Sequence, residues 1–214
     1  MSRRVSSVLS AVGVCIGLSL ASTALAAESQ KPPNFEITPY VGQLTGGEFK
    51  DTTDGSDRDV DGDTDFKLFF NINADSPERQ YEVIYANQST QVQGAVPLDL
   101  DIRYLHVGGI VNFTDVQPVI PYFGITIGAT KFSPDGPGLD DETKFSASVG
   151  TGLKYKFTRN IGLRFDVRAF VTLLDTDGSF FCVSNPSTGS GCAIAASGDT
   201  FIQYGAGLGL IAAF

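Results

Sequence analysis

The chain of 214 residues contains a single histidine, His106, and only three cysteines. One histidine and two nearby cysteines far from it do not make a zinc site, which needs about four converging ligands. The same scarcity weakens a hydrolase reading. Nucleophilic catalysis needs a nucleophile, a base and an orienting group within reach. His106 is followed by Val107 and Gly108, with no His-x-Ser pattern. A structural histidine is the simpler assignment, and no catalytic residue is expected. Positive charge is also in deficit, with 15 Lys and Arg against 24 Asp and Glu. Such a polyanion does not seek nucleic acid or an anionic surface by charge. Beyond residue 20 no segment reaches the roughly 18 uninterrupted apolar residues that a spanning helix needs.

The amino-terminal stretch reads as targeting. Arg3 and Arg4 are followed by an apolar run over 8–20 and by Ala24-Leu25-Ala26, a small-x-small site before Ala27. This is the pattern of a secretory signal peptide over 1–26. The exported domain then spans 27–214, with 13 basic and 24 acidic side chains and a net charge of −11 once Arg3 and Arg4 are removed. Cys182 and Cys192 remain, in a Ser-, Gly-, Asn- and Pro-rich stretch. Two nearby cysteines in an exported protein most simply form one disulfide.

What the chain does have is alternation. From Phe201 onward, Ile202, Tyr204, Ala206, Leu208, Leu210, Ala212 and Phe214 share one face, backed by a face of mostly small residues. That is a period of two. Eight such segments are predicted, at 35–44, 64–72, 80–90, 99–113, 120–132, 143–157, from 161 to about 172, and from 201. The segment 143–157 is the cleanest: Phe145, Val149, Leu153 and Tyr155 oppose Lys144, Ser146, Ser148, Gly150, Gly152 and Lys154. In 99–113 the apolar parity switches midway, and a bulge near 106–109 would explain it. Connections alternate between short ones of about three to seven residues and long ones of about eight to 27, as short periplasmic turns and long external loops do. Aromatics lie on the apolar face, while Gly, Ser, Lys, Arg and Asp lie on the other. A soluble barrel would show the reverse. Lipid outside and a narrow polar lumen inside fit better.

The expected fold is therefore all-β, an eight-stranded antiparallel up-and-down transmembrane β-barrel. The signal peptide, the eight alternating segments, the loop alternation and Phe214 resemble the small outer-membrane barrel superfamily, which includes the OmpA transmembrane domain, OmpX and OmpW. The resemblance implies a bacterial outer membrane with both termini periplasmic, contact with outer-membrane lipid and lipopolysaccharide, and an assembly signal at Tyr204, Leu208, Leu210 and Phe214 read by the barrel-assembly machinery. It carries no member's binding residues onto this chain. An extracellular partner stays unidentified.

Two constellations remain. Asp57, Asp59, Asp61 and Gly62 match the opening of a calcium loop, with Asp63 beside them. The match then fails, because the twelfth position is Leu68 and no flanking helices are expected. A solvated acidic loop is the simpler reading, so no cofactor is expected beyond a weak Ca2+ candidate. Predicted lumen charges are Asp65, Lys67, Glu82, Asp101, Arg103, Lys144, Lys154, Lys156, Arg164, Asp166 and Arg168. They would form an internal salt-bridge plug or line a narrow conduit. The leading expectation is a non-enzymatic structural or surface-interaction barrel with acidic external loops. A small pore for polar or apolar solutes is the alternative, and a lipid-modifying barrel enzyme a more distant one.

Overall fold

The computed structural model describes residues 33–51, 57–93, 98–115, 118–136, 139–174, 179–185, 189–196 and 200–214. The expected signal peptide lies outside the described residues, as do the side chains of Asp57, Cys182 and Cys192. Twelve strands are present among the described residues: β1 (Phe35–Thr45), β2 (Glu48–Asp51), β3 (Asp57–Asp59), β4 (Asp63–Asn73), β5 (Arg79–Val92), β6 (Leu98–Asn112), β7 (Val119–Pro134), β8 (Glu142–Lys156), β9 (Ile161–Leu173), β10 (Ser179–Asn185), β11 (Gly189–Ala196) and β12 (Thr200–Ala213). Eight of them close an antiparallel barrel in the order β1-β12-β9-β8-β7-β6-β5-β4. The last strand meets the first, with Glu36 opposite Ala213 and Thr45 opposite Tyr204. Closure leaves no barrel strand with an unpaired edge.

Side chains alternate as the pleat requires. On β9, Leu163, Phe165 and Val167 are exposed, while Arg164, Asp166 and Arg168 are buried. Most exposed aromatics gather toward the two ends of the outer face, with Tyr85 and Phe165 between them. Phe35, Tyr81, Phe113, Phe157 and Phe214 lie toward the end where β1 begins and β12 ends, with the half-buried Phe70 beside them. Phe66, Phe145 and Tyr204 lie toward the other, the loop end. Phe35 stacks between Phe70 and Phe214, with ring centroids 6.1 and 6.2 Å away. Such girdles flank the apolar band of membrane barrels.

Two findings depart from the sequence-based expectation. First, β6 has no bulge. Its pairing runs unbroken along both neighbours, from Arg79 opposite Val111 to Val92 opposite Leu98, and from Leu100 opposite Pro134 to Asn112 opposite Tyr122. The switch of apolar parity is instead an inversion of environment. Lower on the strand, Leu105, Val107 and Val111 face outward. Near the loop end, Leu100, Ile102 and Tyr104 turn inward and are buried. There the outer face becomes polar: Ser89 Oγ donates to Asp101 (2.6 Å), and Gln91 Nε2 donates to Asp99 (2.6 Å). The barrel is apolar outside along most of its height and apolar inside at its loop end.

Second, the long connections 46–62 and 173–199, expected as loops, contain strands. β10, β11, β2 and β3 form a four-stranded antiparallel sheet in that order. It is anchored at two places. Phe49 of β2, opposite Ala196 of β11, is fully buried. Val60 bridges to Val92 of β5, where Asp61 N–H donates to Gln91 O and Gln93 N–H to Asp59 O, both at 3.0 Å. β2–β3 and β10–β11 are local hairpins, but the β11–β2 pairing that joins them, from Ile194 opposite Asp51 to Ala196 opposite Phe49, links distant parts of the chain, which local alternation cannot reveal.

Candidate functional site: a filled and capped lumen

An eight-stranded barrel has an interior just wide enough for side chains to fill. At mid-height the filling is ionic. β9 supplies Arg164, Asp166 and Arg168 from alternate positions, all pointing inward. β5 stands four strands away in the ring of eight, directly across the lumen, and supplies Glu82. Arg164 Nη2 lies 2.8 Å from Glu82 Oε2, and Arg168 Nη2 lies 3.0 Å from Glu82 Oε1. The same guanidiniums reach Asp166 at 3.2 Å each. These contacts span the barrel's diameter. The Tyr122 hydroxyl donates to Asp166 and accepts from Arg164 Nε (2.9 Å). Asn71 Nδ2 donates to Glu82 (3.0 Å). The Arg164 guanidinium sits 3.8 Å from the Phe69 ring centroid, a cation–π contact in a dry setting.

Around this centre lie two further ion pairs. Lys67 pairs with Asp65, beside the Tyr40 ring. Toward the terminal end, Lys154 Nζ donates to Glu36 (2.6 Å) and to Gln80 (2.8 Å). Among the described residues the buried carboxylates Glu36, Asp65, Glu82 and Asp166 match the buried cations Lys67, Lys154, Arg164 and Arg168 one for one. Lys156 and Lys144, also expected in the lumen, lie only part-buried toward its two mouths. Lys156 pairs with Glu36 at 2.8 Å and Lys144 with Glu142 at 3.3 Å.

Arg103 and Asp101 do not belong to this set. Both were expected inside, and both face outward near the loop end, 44% and 37% exposed and 3.1 Å apart. Arg103 also donates to Asn87 (3.2 Å). They lie past the inversion on β6, where the interior is apolar and the polar parity is the outer one.

Above the ionic layer comes a neutral hydrogen-bonded one. Tyr104 OH donates to Gln203 Oε1 (2.6 Å), again across the barrel, and Gln203 Nε2 donates to Gln88 Oε1 (3.0 Å). His106 is buried here. Its Nδ1 is 3.0 Å from Thr126 Oγ1 and its Nε2 2.8 Å from Ser146 Oγ. Its ring meets Tyr104 and Phe170 edge to face. These two hydroxyls bond both ring nitrogens, and neither partner is a carboxylate. The arrangement holds a ring in place and lacks the orienting acid of a hydrolytic triad.

The loop-end mouth is closed by an apolar cap. Leu44, Phe49, Val60, Ala86, Val92, Leu100, Ile102, Phe132, Leu174 and Phe201 pack as one buried cluster with Tyr104 and Phe170. Phe49 stacks on Phe201 at 5.0 Å and meets Phe132 edge to face at 5.9 Å. The cap and the loop-end sheet were not foreseen. The sequence signal for the cap was the parity switch of β6 itself.

The described acidic side chains, Asp59, Asp61 and Asp63, do not close around a point. β3 is extended, the Asp61 carboxylate accepts from Gln93, and Asp63 Oδ1 accepts from the Thr64 N–H (2.6 Å). Asp59 faces Glu48 in the β2–β3 register. Among the described residues no three acidic, His or Cys side chains gather as a metal centre would require. Tyr204, Leu208, Leu210 and Phe214, expected as an assembly signal, all face outward.

Residues 13–209 match the family model described as "Outer membrane protein beta-barrel domain". No curated protein matches the sequence at a significant level. Among solved structures, OprG from Pseudomonas aeruginosa is similar with a TM-score of 0.58 and 15% identity over 86% of this chain and 97% of that one. Neisserial surface protein A gives 0.55 and 15% over 84% and 97%. AlkL, solved in DMPC lipid bilayers, gives 0.54 and 14% over 88% and 94%. At such identities the likeness concerns the fold alone.

Proposed function

The chain belongs to the outer membrane protein beta-barrel domain family, and from that premise we propose that it is a non-enzymatic barrel whose filled lumen is a rigid stem for a sheet presented at the cell surface. The observation that carries this reading is the closed interior: a cross-lumen ionic layer below an apolar cap. A conduit spends its interior on solvent, whereas here the largest side chains bond one another. The lipid-facing belt contacts outer-membrane lipid and lipopolysaccharide. Both termini face the periplasm, so the loop-end sheet points outward, where it meets an extracellular partner. Cys182 and Cys192 lie directly opposite in the β10–β11 register, and a disulfide between them would staple the sheet's outer hairpin. Tyr204, Leu208, Leu210 and Phe214 act as the signal read during assembly.

An epitope inserted between Asn185 and Gly189 tests the surface role. It should be readable by antibody on intact cells, while a tag placed just before Pro33 should appear only after the outer membrane is permeabilised. The reverse pattern would overturn the orientation and the surface role together.

A further inference from the structure

The outer wall is not evenly filled. Where the last strand meets the first, a groove of about 340 Å³ opens on the lipid-facing side. Leu208 and Leu210 of β12 form one bank and Pro39 and Val41 of β1 the other, with Phe66 of β4 and Leu163 of β9 at its two ends. We propose that this groove holds one acyl chain of lipopolysaccharide as a bound lipid.

Shape comes first. The β1–β12 register passes from Ile37 opposite Ala212 to Tyr40 opposite Gly209, and Thr38 and Pro39 make no ladder pair with β12 between them. Tyr40 and Gly209 also line the groove. The Tyr40 side chain is buried on the lumen side and Gly209 has none, so what they offer outside is backbone. The groove therefore reaches the floor of the wall. Pro39 has no N–H, so the gap in the ladder leaves no orphan donor at that residue, which hydrocarbon would penalise. The volume takes about eleven groups of water-molecule size, at about 30 Å³ each, and a methylene is of similar bulk.

In a bilayer the lipid tails are as apolar as leucine, so van der Waals fit selects what stays bound. A chain on a flat stretch of wall touches protein on one side. In the groove it meets two banks and a floor, and every added carbon contact contributes dispersion.

Height identifies the lipid. Toward the loop end, the next outward residue after Val41 on β1 is Gln43, and the next after Phe66 on β4 is Thr64, both exposed. The groove thus begins directly under the polar boundary of the loop end. Its other end, Leu163, lies close to the start of β9 at the terminal end. Barrel strands are tilted, so a row across them descends through the bilayer. A chain entering beside Phe66 runs down that row toward Leu163. With the loop end outward, as proposed above, the leaflet it enters from is the lipopolysaccharide one. This assignment rests on that orientation.

Native mass spectrometry tests the groove, on the mature chain extracted in mild detergent from the outer membrane of cells that produce it. One lipopolysaccharide per chain should remain bound. Val41→Trp fills the groove from one bank and Leu208→Trp from the other, both at outward positions. Each should lose the bound lipid while still migrating as a folded barrel in unheated detergent electrophoresis. Ile125→Trp, outward on β7 at the opposite wall, should retain it. No bound lipid on the native chain, lipid retained by both filled variants, or lipid lost equally in Ile125→Trp would overturn the groove. A bound phospholipid in place of lipopolysaccharide, with the surface epitope still readable on intact cells, would overturn the lipid assigned here and leave the surface role standing.

Discussion

The cost of a charge here depends on which face of the wall it occupies. Glu82 touches two guanidiniums in a fully enclosed layer. Removing one partner of a buried ionic set leaves charge uncompensated, so Glu82→Gln should destabilise the barrel by about 3 kcal/mol or more. Asp101→Asn breaks a pair of similar length on the exposed outer rim and should cost no more than about 1 kcal/mol. Urea unfolding in lipid vesicles measures both, and similar losses would contradict the burial assigned to them. Glycines follow the same geometry. A Cβ on Gly152 would lie 2.0 Å from the Phe165 carbonyl oxygen and 2.6 Å from the Tyr122 hydroxyl. At Gly109 the nearest atom is Gln80 O at 3.4 Å. Gly152→Ala should therefore lose the fast-migrating unheated band of a folded barrel in detergent electrophoresis, and Gly109→Ala should keep it.

At the scale of elements, the barrel strands were open to sequence reading and the loop-end sheet was not. On β8 and β9 the inward Lys154, Arg164, Asp166 and Arg168 follow from alternation alone, because one environment surrounds each strand for nearly its whole length. β6 crosses from lipid to the capped, water-facing end, so its apolar parity inverts without any backbone irregularity. Reading one rule along its full length placed Arg103 in the lumen. β2, β3, β10 and β11 are short, and the pairing that makes one sheet of the two hairpins, β11 with β2, joins distant parts of the chain. Their signal is Phe49, a lone aromatic in an acidic stretch, whose burial anchors the sheet to the cap. Phe49→Ala should cost about 3 kcal/mol or more and raise protease sensitivity between β9 and β12, while the girdled barrel persists as a core fragment. The hairpin offers its own check. Peptide mapping of unreduced, alkylated protein should recover the peptides of Cys182 and Cys192 joined. Two alkylated cysteines would remove the staple from the account.

At the scale of the whole molecule, two opposite solutions to burial share one wall. Within the belt, lipid takes the apolar face and the lumen holds paired charge. Beyond it, the cap takes the apolar face and water meets the polar one. The ionic layer resists opening because each carboxylate it released would face unpaired cations, and the cap resists it because its rings would meet water. The central claim is that the lumen is shut in the resting protein. Single-channel conductance of the refolded mature chain in a planar bilayer tests it most directly, with folding established by circular dichroism and heat-modifiable migration. A silent bilayer for the native chain is the expected result. Discrete conductance steps from the native chain, altered when Lys154 or Arg164 is neutralised, would contradict the closed lumen and make its charges the lining of a pore.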